Sequence, residues 1–469
     1  MSLTVALQNA LTGLTATQAQ LQVISGNISN AQTPGYSAET LPQFSQTTPI
    51  GGSGTYTGTV QRLTDVALQG NILAQQTATN TSTTLSNYYQ EIQGILGQVG
   101  AGNTLADAYN NFAGSIQTLS TTPQDPVAET AAVSAGQQLA QKLNSLSSNV
   151  QTLRQNADSQ IATDVGNLNT ALTTIAQLNA NIAQLKAINL PTATLEDQRD
   201  QALNQVAQLV PITTYTTDDG TLVVMTTSGQ NLIEGGSAKQ YSYTAAGTVV
   251  ATTPMSPLTL DGADVTSTTT GGQIGALLQM RDTILPGITA QLNQFTKNLF
   301  NQTAAPTLNT TNSGLGATSD KNHFFADVDT GAGLDNAATI EVNPDLVADA
   351  TLLFNAAAGP DPSIAQTLAT NLQASVAFAA AGGLAGLTTT LGDYVAQTTG
   401  QNANAAAAAK SDAGDQTALL QQLQSQYSAE TGVSLDAELT KLVVYQNAYS
   451  ASARVISTVQ TMFNTLMNI

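Results

Sequence analysis

The sequence predicts a mainly α protein with a small β insertion: N- and C-terminal helices paired as a coiled coil, a long-helix bundle, and a β-rich outer domain. Three observations predict it. Apolar residues recur at heptad spacing at both chain ends. After Pro126 no proline interrupts the chain up to Ile188, and an apolar residue recurs every three or four positions. From Ile212 the period then changes to two.

At the N-terminus the apolar stripe is Leu3, Leu7, Ala10, Leu14, Thr17, Leu21, Ile24 and Ile28, a coiled-coil seam with a Gln, Asn, Thr and Ser face behind it. Thr33-Pro34-Gly35-Tyr36 stops the helix. Pro presets the second turn position and Gly accepts positive φ at the third, as a type II turn requires. Residues up to Gly54 read as an extended connector, with Pro49 and Gly51-Gly52 in it. Helical pattern resumes near Asp65, runs past Val99 and breaks at Gly100 to Asn103. A further helix carries Leu105, Ala108, Phe112, Ile116 and Leu119.

Asp125 and Pro126 suit the cap and first position of the next helix. Its seam is Leu139, Leu143, Leu146, Val150, Leu153 and Ala157, then Ile161, Val165, Leu168, Leu172 and Ile175 after a four-residue stutter. Unbroken, it is a rod of roughly 90 Å at 1.5 Å per residue. Such a stripe needs covering, so a bundle is expected. Pro191 ends the rod, and Thr194-Leu-Glu-Asp197 reads as a capping box opening a helix to Leu209.

The β signals follow. Ile212–Thr217 and Leu222–Thr226 flank Asp219-Gly220 as a hairpin. Tyr241-Ser-Tyr and Thr248–Thr252 suggest further strands, with a turn at Asp261-Gly262. Helix returns from Gln273 to Asn301, then a loop over 303–322 and short strands at Phe324-Phe325 and Ile340–Val342. Helices resume from Pro344, broken at Gly359-Pro360 and Gly382-Gly383, with a long one from Thr389 to Ala429. Ser434 caps the last, whose heptad residues are Leu435, Leu442, Tyr449, Ile456 and Phe463, widened by Leu439, Ala453 and Met467. The expected domains are 1–50 with 430–469 (terminal coiled coil), 51–211 with 271–429 (helical bundle) and 212–270 (small β domain).

Composition excludes several functions. Charged residues are 9% of the 469, against about 25% in an ordinary soluble domain. The surface is polar but nearly uncharged, so packed copies repel little. The net charge of −19 argues against nucleic acid and anionic membranes, both of which need clustered Lys and Arg. With no Cys and one His, His323, thiol chemistry and multi-His metal sites are excluded, and a lone His is more often a packing residue than a catalyst. No apolar run suffices to span a membrane, and no basic residue precedes Arg62 to make a secretory signal. Asp218-Asp219 read as a turn, and Glu196, Asp197 and Asp200 as exposed charges around Arg199, rather than acid–base pairs. Asp327, Asp329 and Asp335 lack the bidentate Glu of a calcium loop, Ala338 standing there. Neither an enzyme nor a cofactor is expected.

Two motifs make the ends recognisable. Asn27-Ile-Ser-Asn30-Ala-Gln-Thr-Pro34-Gly35-Tyr36 is close to the NxANxxTPGY signature of bacterial flagellar axial proteins. Gly432-Val-Ser-Leu-Asp436, Tyr445-Gln-Asn-Ala-Tyr449 and Ala453-Arg-Val-Ile-Ser457 mark the other end. In the middle, Leu195-Glu-Asp-Gln-Arg-Asp200, Gly271-Gly-Gln-Ile-Gly275, Met280-Arg-Asp282 and Ile340-Glu-Val-Asn-Pro344 resemble the hook-associated protein 1 family, with residues 303–327 matching only loosely.

The resemblance implies a structural subunit at the hook–filament junction, extracellular on the flagellum. It implies a ring of copies in the helical lattice, in contact with the hook protein and the second junction protein. It also implies export without a cleaved signal by the flagellar type III apparatus, after a chaperone has held the C-terminal segment. The cysteine-free chain suits such export. Hook protein, the second junction protein, flagellin and a secreted adhesin are the alternative readings. The residues expected to carry assembly are Leu3, Leu7, Leu14, Leu21, Asn27, Ile28, Asn30, Pro34, Gly35, Tyr36, Leu435, Leu439, Leu442, Tyr445, Tyr449, Ile456 and Phe463. Because helices this uncharged gain most of their stability from packing, both ends are expected to be disordered in the free monomer and to fold on assembly.

Overall fold

The computed structural model describes residues 3–47, 53–97, 102–305, 308, 322–327, 336–356 and 359–468. Helix α1 (Leu3–Asn30) ends at the expected turn, where the Tyr36 amide donates to Thr33 O at 3.2 Å and Gly35 takes φ +79°. The stretch read as an extended connector instead folds back on itself. Strands β1 (Glu39–Thr40), β2 (Gln43–Thr47), β3 (Ser53–Thr57) and β4 (Gln61–Arg62) pair antiparallel, β1 with β4 and β2 with β3. The cause is local: Thr55 and Thr57 flank Tyr56 on one arm, and Phe44 of the other arm stacks on Tyr56 across the ladder, ring centroids 5.3 Å apart. The paired strands therefore lie on both sides of residue 50, the expected edge of the terminal segment.

Helix α2 (Val66–Leu96) is capped by Asp65, which accepts from Leu68 N, and stops at Gly97 with φ +86°. That is short of the expected run past Val99, which lies outside the described residues. Helix α3 (Leu105–Thr121) opens on a Thr104–Asp107 capping box. The rod is a continuous helix, α4 (Pro126–Ala187), 62 residues long and capped by Asp125. Helix α5 (Ala193–Leu209) does not use the capping box expected at Thr194. It starts two residues earlier, with Thr192 at the cap position; the Thr192 hydroxyl donates to Glu196, and Asp197 is drawn to Ser37 and Arg62 instead.

Strands β5 (Ile212–Thr216), β6 (Leu222–Thr226), β7 (Asn231–Glu234) and β8 (Ser237–Ala238) form an antiparallel meander. Strands β9 (Tyr241–Ser242), β10 (Thr259–Leu260) and β11 (Ala263–Asp264) form a second small sheet, its Asp261-Gly262 turn at positive φ on both residues. Residues 248–252 are not a strand. The Val250 and Ala251 carbonyls accept from the Arg154 guanidinium on α4, not from a neighbouring strand.

The next helix is interrupted. Between α6 (Gly272–Gln279) and α7 (Leu285–Gln302) lies a π-turn, Met280–Ile284, in which Leu285 N reaches back five residues to Met280 O. Pro286 follows at once. It has no N–H and crowds the carbonyl one turn back, which the wider turn relieves. Most of the loop expected over 303–322 lies outside the described residues. Strand β12 (Phe325–Asp327) pairs with β13 (Ile340–Val342). Short elements follow: α8 (Pro344–Ala348), a 3₁₀ turn at Ala350–Leu353, β14 (Asn355–Ala356) with β15 (Gly359–Pro360), α9 (Ser363–Gln373), and β16 (Val376–Phe378) with β17 (Leu387–Thr389). Two long helices, α10 (Leu391–Thr431) and α11 (Leu435–Met467), complete the chain.

Helix α4 serves two cores. Its N-terminal half, Leu139 to Leu153, packs with α3, α7, α9 and the β12–β13 pair. From Ala157 through the stutter to Ala176, it packs with α5, α6 and the β5–β10 strands. Helix α10 lies along α2, where the Gln75 amide donates to Gln416 O at 3.0 Å and the Ser82 hydroxyl to Asp412. Helices α1 and α11 pair with each other. Each end thus lies against the other's seam within one chain.

Two glycines of α4 give a paired prediction. A Cβ on Gly136 would clash with the edge of the Phe324 ring, which also packs on Phe112 and Phe325. Gly136→Ala is expected to lower stability by about 1–3 kcal/mol, as overpacking does. A Cβ on exposed Gly166 meets nothing within 4 Å, so Gly166→Ala is expected to raise stability by about 0.5–1 kcal/mol. Urea unfolding of both variants checks the opposite signs.

Candidate functional site

The terminal motif folds into a junction. Asn27, in the last turns of α1, is buried, and both ends of its amide are fully used. Its Oδ1 accepts from the Tyr36 hydroxyl and the Glu39 amide, both at 2.9 Å. Its Nδ2 donates to Glu39 O at 2.9 Å and to Glu438 Oε2 on α11 at 3.2 Å. One side chain therefore joins α1, the Thr-Pro-Gly-Tyr turn, β1 and the start of α11. Removing it would take a hydrogen bond from four groups, on Tyr36, Glu39 and Glu438, at about 1–3 kcal/mol for each one left buried and unsatisfied. Burial first, and then Glu39, Asp197 and Glu438, hold the Tyr36 hydroxyl far above its ordinary range, so it stays a neutral donor.

The turn itself docks on α5. The Gln201 side-chain amide donates to Pro34 O at 3.1 Å and fills the space a side chain on Gly35 would need. Asn30 donates to Gly26 O in its own helix and accepts from the Thr33 hydroxyl. The Ala38 amide donates to Thr431 O at the end of α10.

Arg62 on β4 then clamps the strands to α5. Its guanidinium lies 3.1 Å from Glu196, 2.5 Å from Asp197 and 2.8 Å from Asp200, and its side chain is only 8% exposed. Burial opposes its charge, but Asp200 and Asp197 outweigh it and hold the proton more tightly. Burial raises the Asp197 carboxyl despite Arg62, while the Thr192 hydroxyl, Arg62 and Lys186 together overcome burial at Glu196 and lower it. The expectation that these acids surround Arg199 is corrected. Arg199 points away, donating to Asn179 Oδ1 at 3.1 Å and Gly220 O at 2.9 Å. An isolated Arg after sixty-one uncharged or acidic positions was the available signal, since a lone guanidinium brought indoors needs carboxylates.

The helix pair uses the expected stripes in part. On α1 the fully buried positions include Ala10, Thr17 and Ile24 from the expected seam, whereas Leu3, Leu7, Leu14, Leu21 and Ile28 are half-buried. The other buried residues of α1 are Ala16, Val23 and the polar Gln20 and Asn27. On α11, Leu442, Tyr445, Ile456 and Phe463 are half-buried, and Leu435, Leu439 and Tyr449 are exposed. The buried residues there are Glu438 and Val459, which the apolar pattern passed over. An acid among apolar neighbours reads from sequence as a surface position.

The remaining candidates are settled by their surroundings. Asp219 caps its own hairpin turn, accepting from the Thr217 and Thr221 hydroxyls and Thr221 N, and the Thr217 bond above all lowers its carboxyl to about 2. His323 stacks on Phe300 at 4.0 Å. Asp329 and Asp335 lie outside the described residues. Among the described residues no group of three metal-ligating side chains occurs, and no helix is long and apolar enough to cross a membrane.

Comparison with known proteins places these features. Residues 89–318 match the family model described as the flagellar hook-associated protein FlgK helical domain. Residues 424–469 match the flagellar basal body rod FlgEFG protein C-terminal model, and residues 7–36 the flagella basal body rod protein model. Flagellar hook-associated protein 1 of Escherichia coli (strain K12) is 28% identical over 241 residues, 50% of this chain and 44% of that protein. The protein of that name from Bacillus subtilis (strain 168) is 24% identical over 218 residues, 44% of this chain and 43% of that one. The matched stretch thus spans less than half the length of these relatives. A solved structure, the flagellar hook junction protein FlgK from Burkholderia pseudomallei, is 26% identical with a TM-score of 0.45, over 55% of this chain and 46% of that one. The chain is a homologue of flagellar hook-associated protein 1, with that family's helical domain in its middle and terminal segments of the flagellar axial type at its two ends.

Proposed function

We propose that this chain is a structural, non-enzymatic subunit of the bacterial flagellum that joins hook to filament, and that the paired ends α1 and α11 are its assembly domain. The observation that carries the reading is what the pairing leaves uncovered. Leu439 is 49%, Val443 57%, Val444 59% and Leu466 59% exposed on α11. With Val455 and Met462, also exposed, they lie on more than one side of the helix. A helix apolar around most of its circumference is normally buried, so further copies or neighbouring axial proteins must cover it. Leu435, Leu439 and Tyr449 then serve contacts between subunits, and Leu442, Tyr445, Ile456 and Phe463 the contact within one.

The partners proposed are other copies in a ring, the hook protein, the second junction protein, and a chaperone holding the C-terminal segment before export without a cleaved signal. A terminal helix this apolar needs such cover in the cytoplasm. The Asn27 junction and the Arg62 clamp anchor the assembly helices to the bundle, so each copy presents them at the same angle.

Deletion of the gene with imaging of the cells tests the reading. Intact hooks, absent filaments and flagellin shed into the medium are expected; filaments on the mutant cells would refute the role. Arg62→Ala strands three partly buried carboxylates. It is expected to cost about 3–5 kcal/mol in denaturant unfolding, as breaking a buried ion pair does, and to leave cells with fewer filaments.

A further inference from the structure

We propose that the buried Asn27–Glu438 pair sets the register of the α1–α11 coiled coil. Paired helices ordinarily fix their register with charges flanking the seam or a polar residue within it. The first device is missing here: α1 carries no charged residue, and beyond Lys441 the only charge on α11 is Arg454. The seam itself repeats every heptad on both helices, so a slip of seven residues, about 10.5 Å at 1.5 Å each, again opposes small and apolar groups.

What distinguishes one register is polar and buried. Three polar residues of α1 are buried: Thr17, Gln20 and Asn27. The Thr17 hydroxyl returns to Gly13 O and Leu14 O of its own helix. The Gln20 amide donates to Leu41 O at 2.6 Å. Of these three, Asn27 crosses to α11, and it meets Glu438, which is 4% exposed. Glu438 also accepts from the Lys441 ammonium at 2.7 Å, so its carboxylate is served from both sides. Two heptads away a second contact reports the same register: a Cβ on Gly13 would lie 3.6 Å from Ser452 Oγ, with the helices antiparallel. A slip by one heptad would bring Tyr445 opposite Asn27 and bury the Glu438 carboxylate without the amide, or expose it. An uncompensated buried charge is the penalty that forbids the slip.

The cross-linking test does not depend on the flagellar role. Only the consequence for assembly rests on that reading, because copies out of register would present α11 a helical turn or more out of place. The chain has no cysteine, so introduced pairs report alone. Gly13→Cys is combined with Ser452→Cys (native register) or with Tyr445→Cys or Val459→Cys (one heptad shifted), in the purified full chain under mild oxidation. With Asn27 and Glu438 intact, the native pair is expected to close at least about tenfold more than either shifted pair, tenfold being ~1.4 kcal/mol of preference. With Asn27→Leu and Glu438→Leu together, a shifted pair is expected to close comparably. Glu438→Gln, which keeps the hydrogen bond, is expected to retain the native register. The proposal is overturned if the Leu–Leu variant still closes only the native pair, if all three pairs close alike with Asn27 and Glu438 intact, or if the Leu–Leu variant closes none, which would make the pair a fastening and not a register.

Discussion

A nearly uncharged helix pair can bind tightly and still bind in the wrong place. That constraint governs the terminal part of this molecule. Dispersion and apolar burial along α1 and α11 are indifferent to a heptad slip, so specificity has to come from groups that are costly to misplace. Buried hydrogen-bonding groups fill that need, because each one left unpaired costs more than a made bond contributes. The junction gathers them where both chain ends meet the bundle: Asn27, Tyr36, Glu39 and Glu438 on one side, Arg62 with three carboxylates on the other.

The same device recurs deeper in the chain. Arg281, in the π-turn, is fully buried and donates to both carboxylate oxygens of Asp282, to Ser256 O and to the Tyr243 hydroxyl. Tyr243 donates in turn to Asp158 of α4, which also accepts from Ala246 N at 2.7 Å. Arg154, one turn earlier on α4, donates to Arg281 O. The network sits beside the stutter at Ala157, between the two cores that α4 serves. A rod of this length would otherwise let the β strands slide along it. Long helices supply reach, and buried polar clusters supply the coordinates along them.

This division explains what the sequence revealed. Periodicity reports where apolar surface is hidden, so the rod, its stutter, the hairpins at Asp219-Gly220 and Asp261-Gly262, and the caps at Asp125 and Ser434 were legible. Periodicity is blind to polar groups brought indoors. Residues 248–252 looked like a strand because Thr and Val favour one, yet the Val250 and Ala251 carbonyls are taken by Arg154, ninety-odd residues away in the chain. Glu196, Asp197 and Asp200 were visible as a cluster, but nothing local says that their partner is Arg62 and not Arg199. On α11 the leucine heptad was visible, while Glu438, which lies deeper than those leucines, was not.

The terminal motif can now be read as geometry. Pro34 and Gly35 reverse the chain so that Tyr36 falls back onto Asn27, and Gln201 occupies the space that a larger residue at Gly35 would take. The turn is therefore more than a helix stop: it aims the Asn27 amide at α11 by fixing its Oδ1 side. With the oxygen engaged by Tyr36 Oη and Glu39 N, the Nδ2 group has one direction left, along which lie Glu39 O and Glu438. A Thr-Pro-Gly-Tyr turn without the preceding Asn would hold a loop, and the Asn without the turn would be free to rotate. The two occur together because only together do they fix where the last helix of the chain must lie.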